Sequence, residues 1–187
     1  MFTGIVQAVG KIVRLDPLEI DCAALNLADV AVGDSICVQG VCLTVTALTR
    51  SGFTADVSSE TRSVTAGLDR AGASVNLEKS LALGAPLGGH LVSGHVDGVG
   101  EVLGFAEGVL RIRAPHEIAR FVARKGSICV DGVSLTVNRV EGDVFDAMLI
   151  PHTLAVTTLA RLGPGVRVNL EVDLIARYVE RLLSAGR

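Results

Sequence analysis

Short runs rich in Val, Ile and Thr alternate with clusters of Gly, Asp and Asn. They predict strands at residues 36–38, 43–47, 53–57 and 74–77, and again at 128–130, 135–140, 144–149 and 166–172. Val38-Gln39-Gly40-Val41 and Val130-Asp131-Gly132-Val133 read as two-residue hairpin turns, because Gly supplies the positive φ such turns need. Short strands at intervals of roughly 8–12 residues suggest a barrel or a sandwich in each half. Closing a barrel would remove exposed edges from so small a unit. The pattern turns helical twice. Pro115-His116-Glu117 predicts a helix start, with Gly126 just past the end. Asp173 is a good N-cap, and behind it Leu174, Ile175, Tyr178, Val179, Leu182 and Leu183 form one apolar stripe. That stripe suits either its own barrel or a neighbouring subunit.

The two halves are copies. Residues 35–46 (SICVQGVCLTVT) and 127–138 (SICVDGVSLTVN) agree at nine of twelve positions, at an offset of 92. Residues 3–12 match 93–102 at offset 90, Glu60-Thr61 answers His152-Thr153 at offset 92, and Val75-Asn76-Leu77-Glu78 answers Val168-Asn169-Leu170-Glu171 at offset 93. A period this long is one small domain rather than a solenoid repeat. The Gly-rich stretch around 84–90 is the natural boundary. A doubled unit makes two similar pockets, and two similar pockets suit two copies of one ligand.

The composition, 49% hydrophobic and 20% charged, is that of a globular chain. A net charge of −3, 3% aromatics and no Trp argue against a nucleic-acid partner. No apolar run is long enough to span a membrane, and no signal peptide is visible, so a cytoplasmic setting is expected. Neither G-x-x-x-x-G-K-[ST] nor G-x-G-x-x-G occurs, and no Cys or His spacing stands out as metal-binding. On one regular strand Cys37 and Cys42 would face opposite ways, although the intervening Gly turn can change that. Cys22, Cys37 and Cys129 read as small buried hydrophobes.

The chemistry lies where the copies differ. Cys42 stands opposite Ser134, and Ile5 opposite His95, so one half carries a thiol and the other an imidazole. Both groups serve nucleophilic or proton-transfer work near neutral pH.

The motifs Met1-Phe2-Thr3-Gly4-Ile5-Val6, Val38-Gln39-Gly40-Val41-Cys42-Leu43-Thr44-Val45, Gly89-His90-Leu91-Val92-Ser93-Gly94-His95, Asp131-Gly132-Val133-Ser134-Leu135-Thr136-Val137, Ile150-Pro151-His152-Thr153-Leu154 and Asp173-Leu174-Ile175-Ala176-Arg177-Tyr178, in this order, resemble the riboflavin synthase family with its lumazine-binding repeat. Gln39 departs from the Asn expected before Gly40, and Arg62 from the Leu expected after Thr61. The resemblance implies an all-β fold with a C-terminal α-helix. Two six-stranded antiparallel Greek-key barrels would occupy 1–90 and 91–172, and a trimerisation helix 173–187. It implies dismutation of two 6,7-dimethyl-8-ribityllumazine molecules, two per active site, in a homotrimer without cofactor or metal. It leaves open an association with lumazine synthase. The first pocket would use Cys42, Leu43, Thr44, Asp56, Val57, Ser58, Ser59, Glu60 and Thr61, completed by Gly94, His95 and Val96 of a neighbour. The second would use Ser134, Leu135, Thr136, Met148, Leu149, Ile150, Pro151, His152 and Thr153, completed by Gly4, Ile5 and Val6 of another subunit, with Lys125 nearby. The resemblance assigns catalysis to Ser35, Cys42 and His95, supported by Phe2, Thr136 and Asp173. A non-catalytic lumazine- or flavin-binding antenna protein is the alternative on the same scaffold.

Overall fold

In a computed structural model, which describes residues 1–22 and 24–185, the duplication is a pair of closed six-stranded antiparallel barrels. The first contains β1 (Ala8–Leu15), β2 (Leu18–Asp21), β3 (Ser35–Val38), β4 (Val41–Leu48), β5 (Gly52–Ala55) and β6 (Ser74–Lys79), hydrogen-bonded in the order β1-β2-β5-β4-β3-β6. The second contains β7 (Gly98–Ala106), β8 (Val109–Arg113), β9 (Ser127–Val130), β10 (Val133–Glu141), β11 (Val144–Met148) and β12 (Arg167–Val172), in the same circular order. Each barrel encloses its own apolar core, centred on Ile12, Leu18, Ile36 and Phe53 in the first and on Val102, Leu110, Ile128 and Phe145 in the second. Register breaks recur at Ile12/Arg14 and Val102/Gly104, and at Val45/Ala47 and Val137/Arg139. Such bulges bend a strand sharply enough to close a small barrel.

The hairpin turns are as the sequence predicts. Gln39 and Gly40 have φ 53 and 85, and Asp131 and Gly132 have φ 49 and 80, the doubly positive pattern of a type I′ turn. Their tips meet. A Cβ on Gly40 would lie 2.9 Å from the Gly132 nitrogen, and the reverse holds at Gly132. Around these tips the barrels join through a near-twofold seam. Phe2 and Val92, counterparts in the repeat, exchange backbone hydrogen bonds of 2.7 and 3.1 Å. Phe2, Val92, Cys37 and Cys129 form a separate buried cluster between the barrels. The Asn76 side chain donates to the Asp131 carbonyl at 2.9 Å, and Asn169 returns the bond to the Gln39 carbonyl at 2.8 Å.

Asp131 is fully buried in this seam, where loss of solvation pushes its carboxyl up to about 7 against the bonds from the Asn169 N–H and the Gln39 side chain. The folded state thus binds this proton more tightly than the unfolded chain. The stability it contributes is complete below about pH 4 and is lost as pH rises through about 7. Between pH 4 and 8 the unfolding free energy is expected to fall more steeply in the native protein than in Asp131→Asn, by about 2–4 kcal/mol. Urea unfolding at several pH values measures this, and parallel curves would refute it.

Two helical expectations change. The helix read from Pro115 toward Gly126 is a single turn, α2 (His116–Ala119). Phe121 and Val122 then donate to the carbonyls three residues back, so the α register is not sustained. Two short helices lie outside the sequence reading. These are α1 (Ser59–Val64), capped by the Ser58 hydroxyl on Thr61 N, and α3 (Pro151–Val156), with Pro in its first turn. The final helix, α4 (Leu174–Ser184), starts where expected, with the Asp173 carboxylate accepting from Ile175 N at 2.9 Å. The last two residues of the expected segment, 186 and 187, lie outside the described residues. Ile175, Tyr178, Val179, Leu182 and Leu183 of its stripe are exposed.

Candidate functional site

Each barrel sends its leading segment across the seam onto the other. Cys42 N donates to the Gly94 carbonyl at 2.8 Å, and Ser134 N donates to the Gly4 carbonyl at 2.7 Å. The approach requires glycine. Gly4 and Gly94 have φ 74 and 76, and a Cβ on either would lie 2.7 Å from backbone and side-chain atoms of its partner.

Two buried glutamates hold these crossings. Glu171 accepts from the backbone N–H groups of Ser93, Gly94 and His95 at 2.7, 2.9 and 3.1 Å. Glu78 accepts from Thr3 N and Oγ1, both at 2.7 Å, and from Gly4 N at 2.9 Å. Burial raises both carboxyls, and these hydrogen bonds pull them back. The carboxylates are fixed loop anchors. Their signal in the sequence is a glutamate kept in the same place of two apolar strands.

The first cavity, about 220 Å³, lies on the outer face of the β3–β4 hairpin beside α1, between Cys42, Glu60, Thr61, Gly94, His95 and Val96. Residues 94–96 reach it across the seam from the second half of the same chain, while the resemblance expects them from a neighbouring subunit. The crossing also changes the meaning of the asymmetry between the repeats. Thiol and imidazole, read as belonging to separate halves, converge here on one cavity. At the matching place of the other repeat stands Ser134, with Gly4, Ile5 and Val6 crossing toward it, and Val6 packs on the second core.

Cys37 and Cys42 pair directly across the hairpin, so the turn brings them to the same face. Cys37 is buried and its thiol is pushed well up, first by desolvation and then by Glu78. Cys42 is half-buried.

Other expected residues disperse. Ser35 pairs with Thr44 further along the hairpin, away from the cavity lining. Leu43, Leu135 and Leu149 point into the barrel cores, and Phe2 is sealed in the seam. Val57 packs against the first core, while Asp56, Ser58 and Ser59 lie exposed at the start of α1. Met148, Ile150, Pro151 and His152 line the exposed approach to α3, and the Thr153 carbonyl accepts from Thr157. Thr136 is exposed on the same face of β10 as Ser134. Lys125 sits on an exposed turn, its N–H bonded to the Val137 carbonyl.

Two further residues enter the site. Arg177 of α4 donates to the His95 carbonyl at 3.1 Å and to Asp97 Oδ2 at 2.8 Å. His90 Nδ1 lies 2.7 Å from Ser134 Oγ. Among the described residues, no three or more His, Cys, Asp or Glu side chains gather as a metal site.

The lumazine binding domain model matches residues 3–80 and 93–173. The riboflavin synthase of Mycobacterium bovis is 48% identical over 202 residues, covering 100% of both chains. That of Photobacterium phosphoreum is 47% identical over 199 residues, covering 100% of this chain and 91% of the relative. Among solved structures, LumP complexed with riboflavin aligns with a TM-score of 0.78 and 27% identity, over 92% of this chain and 99% of that one. LumP complexed with 6,7-dimethyl-8-(1'-D-ribityl) lumazine gives 0.78 and 26%, with the same coverage.

Proposed function

Because the chain belongs to the riboflavin synthase family and carries its lumazine-binding domain twice, we propose that its two pockets hold the two lumazines of one dismutation. It is an enzyme of riboflavin biosynthesis. Two molecules of 6,7-dimethyl-8-ribityllumazine give riboflavin and 5-amino-6-ribitylamino-uracil, one lumazine donating four carbons to the other. The atoms of two substrates equal those of the two products, so the step needs no external oxidant or carbon source.

The observation that carries this reading is the convergence of Cys42 and the His95 loop on one cavity. The 7-methyl protons of a lumazine are acidic because the ring delocalises the resulting anion. His95, exposed at the rim, is placed to move that proton. In this reading the sulfur of Cys42, which lines the same cavity, bonds transiently to a ring or activates water. Holding both rings together makes the encounter effectively unimolecular, lowering the barrier by as much as about 7–11 kcal/mol.

The first cavity is shallow and open on its outer side. A second pocket from a neighbouring copy would close it face to face, in a homotrimer joined through the exposed stripe of α4. Among the described residues no helix is long and apolar enough to cross a membrane, and the reading places the enzyme in the cytoplasm.

The test is direct. Incubated with 6,7-dimethyl-8-ribityllumazine alone, the protein should form one riboflavin per two lumazines consumed. Tight binding without turnover would instead make it an antenna protein.

A further inference from the structure

We propose that His90 is a positioning residue of the second pocket, whose imidazole fixes the Ser134 hydroxyl toward the lumazine bound there. This rests on the function proposed above.

Four observations converge. His90 Nδ1 is 2.7 Å from Ser134 Oγ. His90 is only 8% exposed, and its Nε2 is buried without a partner in the structure. The segment is seated by its backbone, His90 N donating to the Thr3 carbonyl at 3.1 Å. Gly89 permits this close packing, since a Cβ there would lie 2.1 Å from the Thr3 oxygen and 2.8 Å from Ser134 Cβ. Ser134 is therefore held twice, by its N–H on Gly4 and by its hydroxyl on His90.

The first pocket is an internal control. Cys42 makes the same backbone bond, to Gly94, but no imidazole hydrogen bond to its sulfur occurs among the described residues. A thiol that reacts needs freedom to approach the ring. A hydroxyl that orients a ring needs a fixed direction.

Burial lowers the pKa of His90, and the nearby Asp173 carboxylate opposes that shift. A neutral imidazole offers one donor and one acceptor nitrogen. In either tautomer Nδ1 engages the hydroxyl. The remaining capacity of Ser134, accepting in one case and donating in the other, is then turned to the polar edge of the ligand.

Two measurements decide this. In protein carrying 15N-labelled histidine, Ser134→Ala should move the His90 Nδ1 resonance. Lumazine should move it in the native protein but not in Ser134→Ala. In steady-state kinetics, His90→Leu should lower kcat by about tenfold with lumazine Kd changed less than about twofold, while His90→Asn, whose amide reaches the Nδ1 position, stays within about threefold of native. Adding Ser134→Ala to His90→Leu should cause little further loss, because both act through one hydroxyl. A Nδ1 resonance indifferent to ligand, an unimpaired His90→Leu or an additive double variant would overturn the assignment. A native protein that binds lumazine without turning it over would refute the dismutase reading, and the resonance would still decide the role of His90.

Discussion

Cys42→Ala lowers riboflavin formation by about 100-fold or more, the scale on which a positioned nucleophile or proton-transfer group acts, while Ser134→Ala costs far less. The two residues occupy equivalent places. Each is half-buried, each is the second residue of the second strand of its hairpin, and each donates its N–H to the carbonyl of a crossing glycine. Truncating either to alanine leaves those backbone bonds intact, so the comparison isolates one side-chain atom. What differs is the company. Cys42 has the His95 loop beside it, while Ser134 has Ile5 and the buried His90. Steady-state assays with lumazine as sole substrate, together with fluorescence titration to show that both variants still bind it, measure the contrast. Equal losses would show that the asymmetry between the pockets is not catalytic.

Phe2→Ala destabilises the protein by about 3–5 kcal/mol, as removal of a fully buried aromatic side chain usually does. Its effect on function exceeds its share of stability. Phe2 is 0% exposed, in the small cluster between the barrels, and its backbone bridges to Val92. One residue beyond Phe2 and Val92, the chain enters the crossings that end on Ser134 and Cys42. A cavity at Phe2 loosens both crossings together, so both lumazine sites should weaken together. Phe2→Leu, which refills much of the space, should recover most of both properties. Urea unfolding and lumazine titration of the two variants provide the check. Loss of one binding site with the other intact would sever the proposed link between seam and pockets.

The sequence makes the repeat, the hairpin turns and the start of the last helix legible, because each rests on a local rule. The turns need Gly at positive φ, and Asp173 is a cap whatever surrounds it. The strands β1, β2, β7 and β8 escape the same reading. In β1 the alternation of Ala8, Gly10 and Ile12 is broken by the bulge, which leaves Val13 exposed beside Arg14. The helices α1 and α3 are only six residues long, too short for a clear apolar stripe. Within the site, Cys42 and His95 stand out as exceptions to a repeat. Their meeting does not, because which barrel a crossing segment lands on depends on the seam. Glu78, Glu171 and His90 act on backbone and hydroxyl groups far away in the chain, and no spacing rule reports that.

The crossing segments also bear on how such a site can change. Were the two barrels separate, identical molecules, the same arms would cross in both directions, and every substitution would appear twice. An imidazole at position 95 would bring one at position 5, and a thiol at 42 would bring one at 134. Joining the barrels in a single polypeptide lifts that obligation while leaving the shape of the pair intact. Ile5 and His95, or Cys42 and Ser134, occupy matching places yet are free to be chosen one at a time. A reaction in which two copies of one molecule take opposite parts can use that freedom.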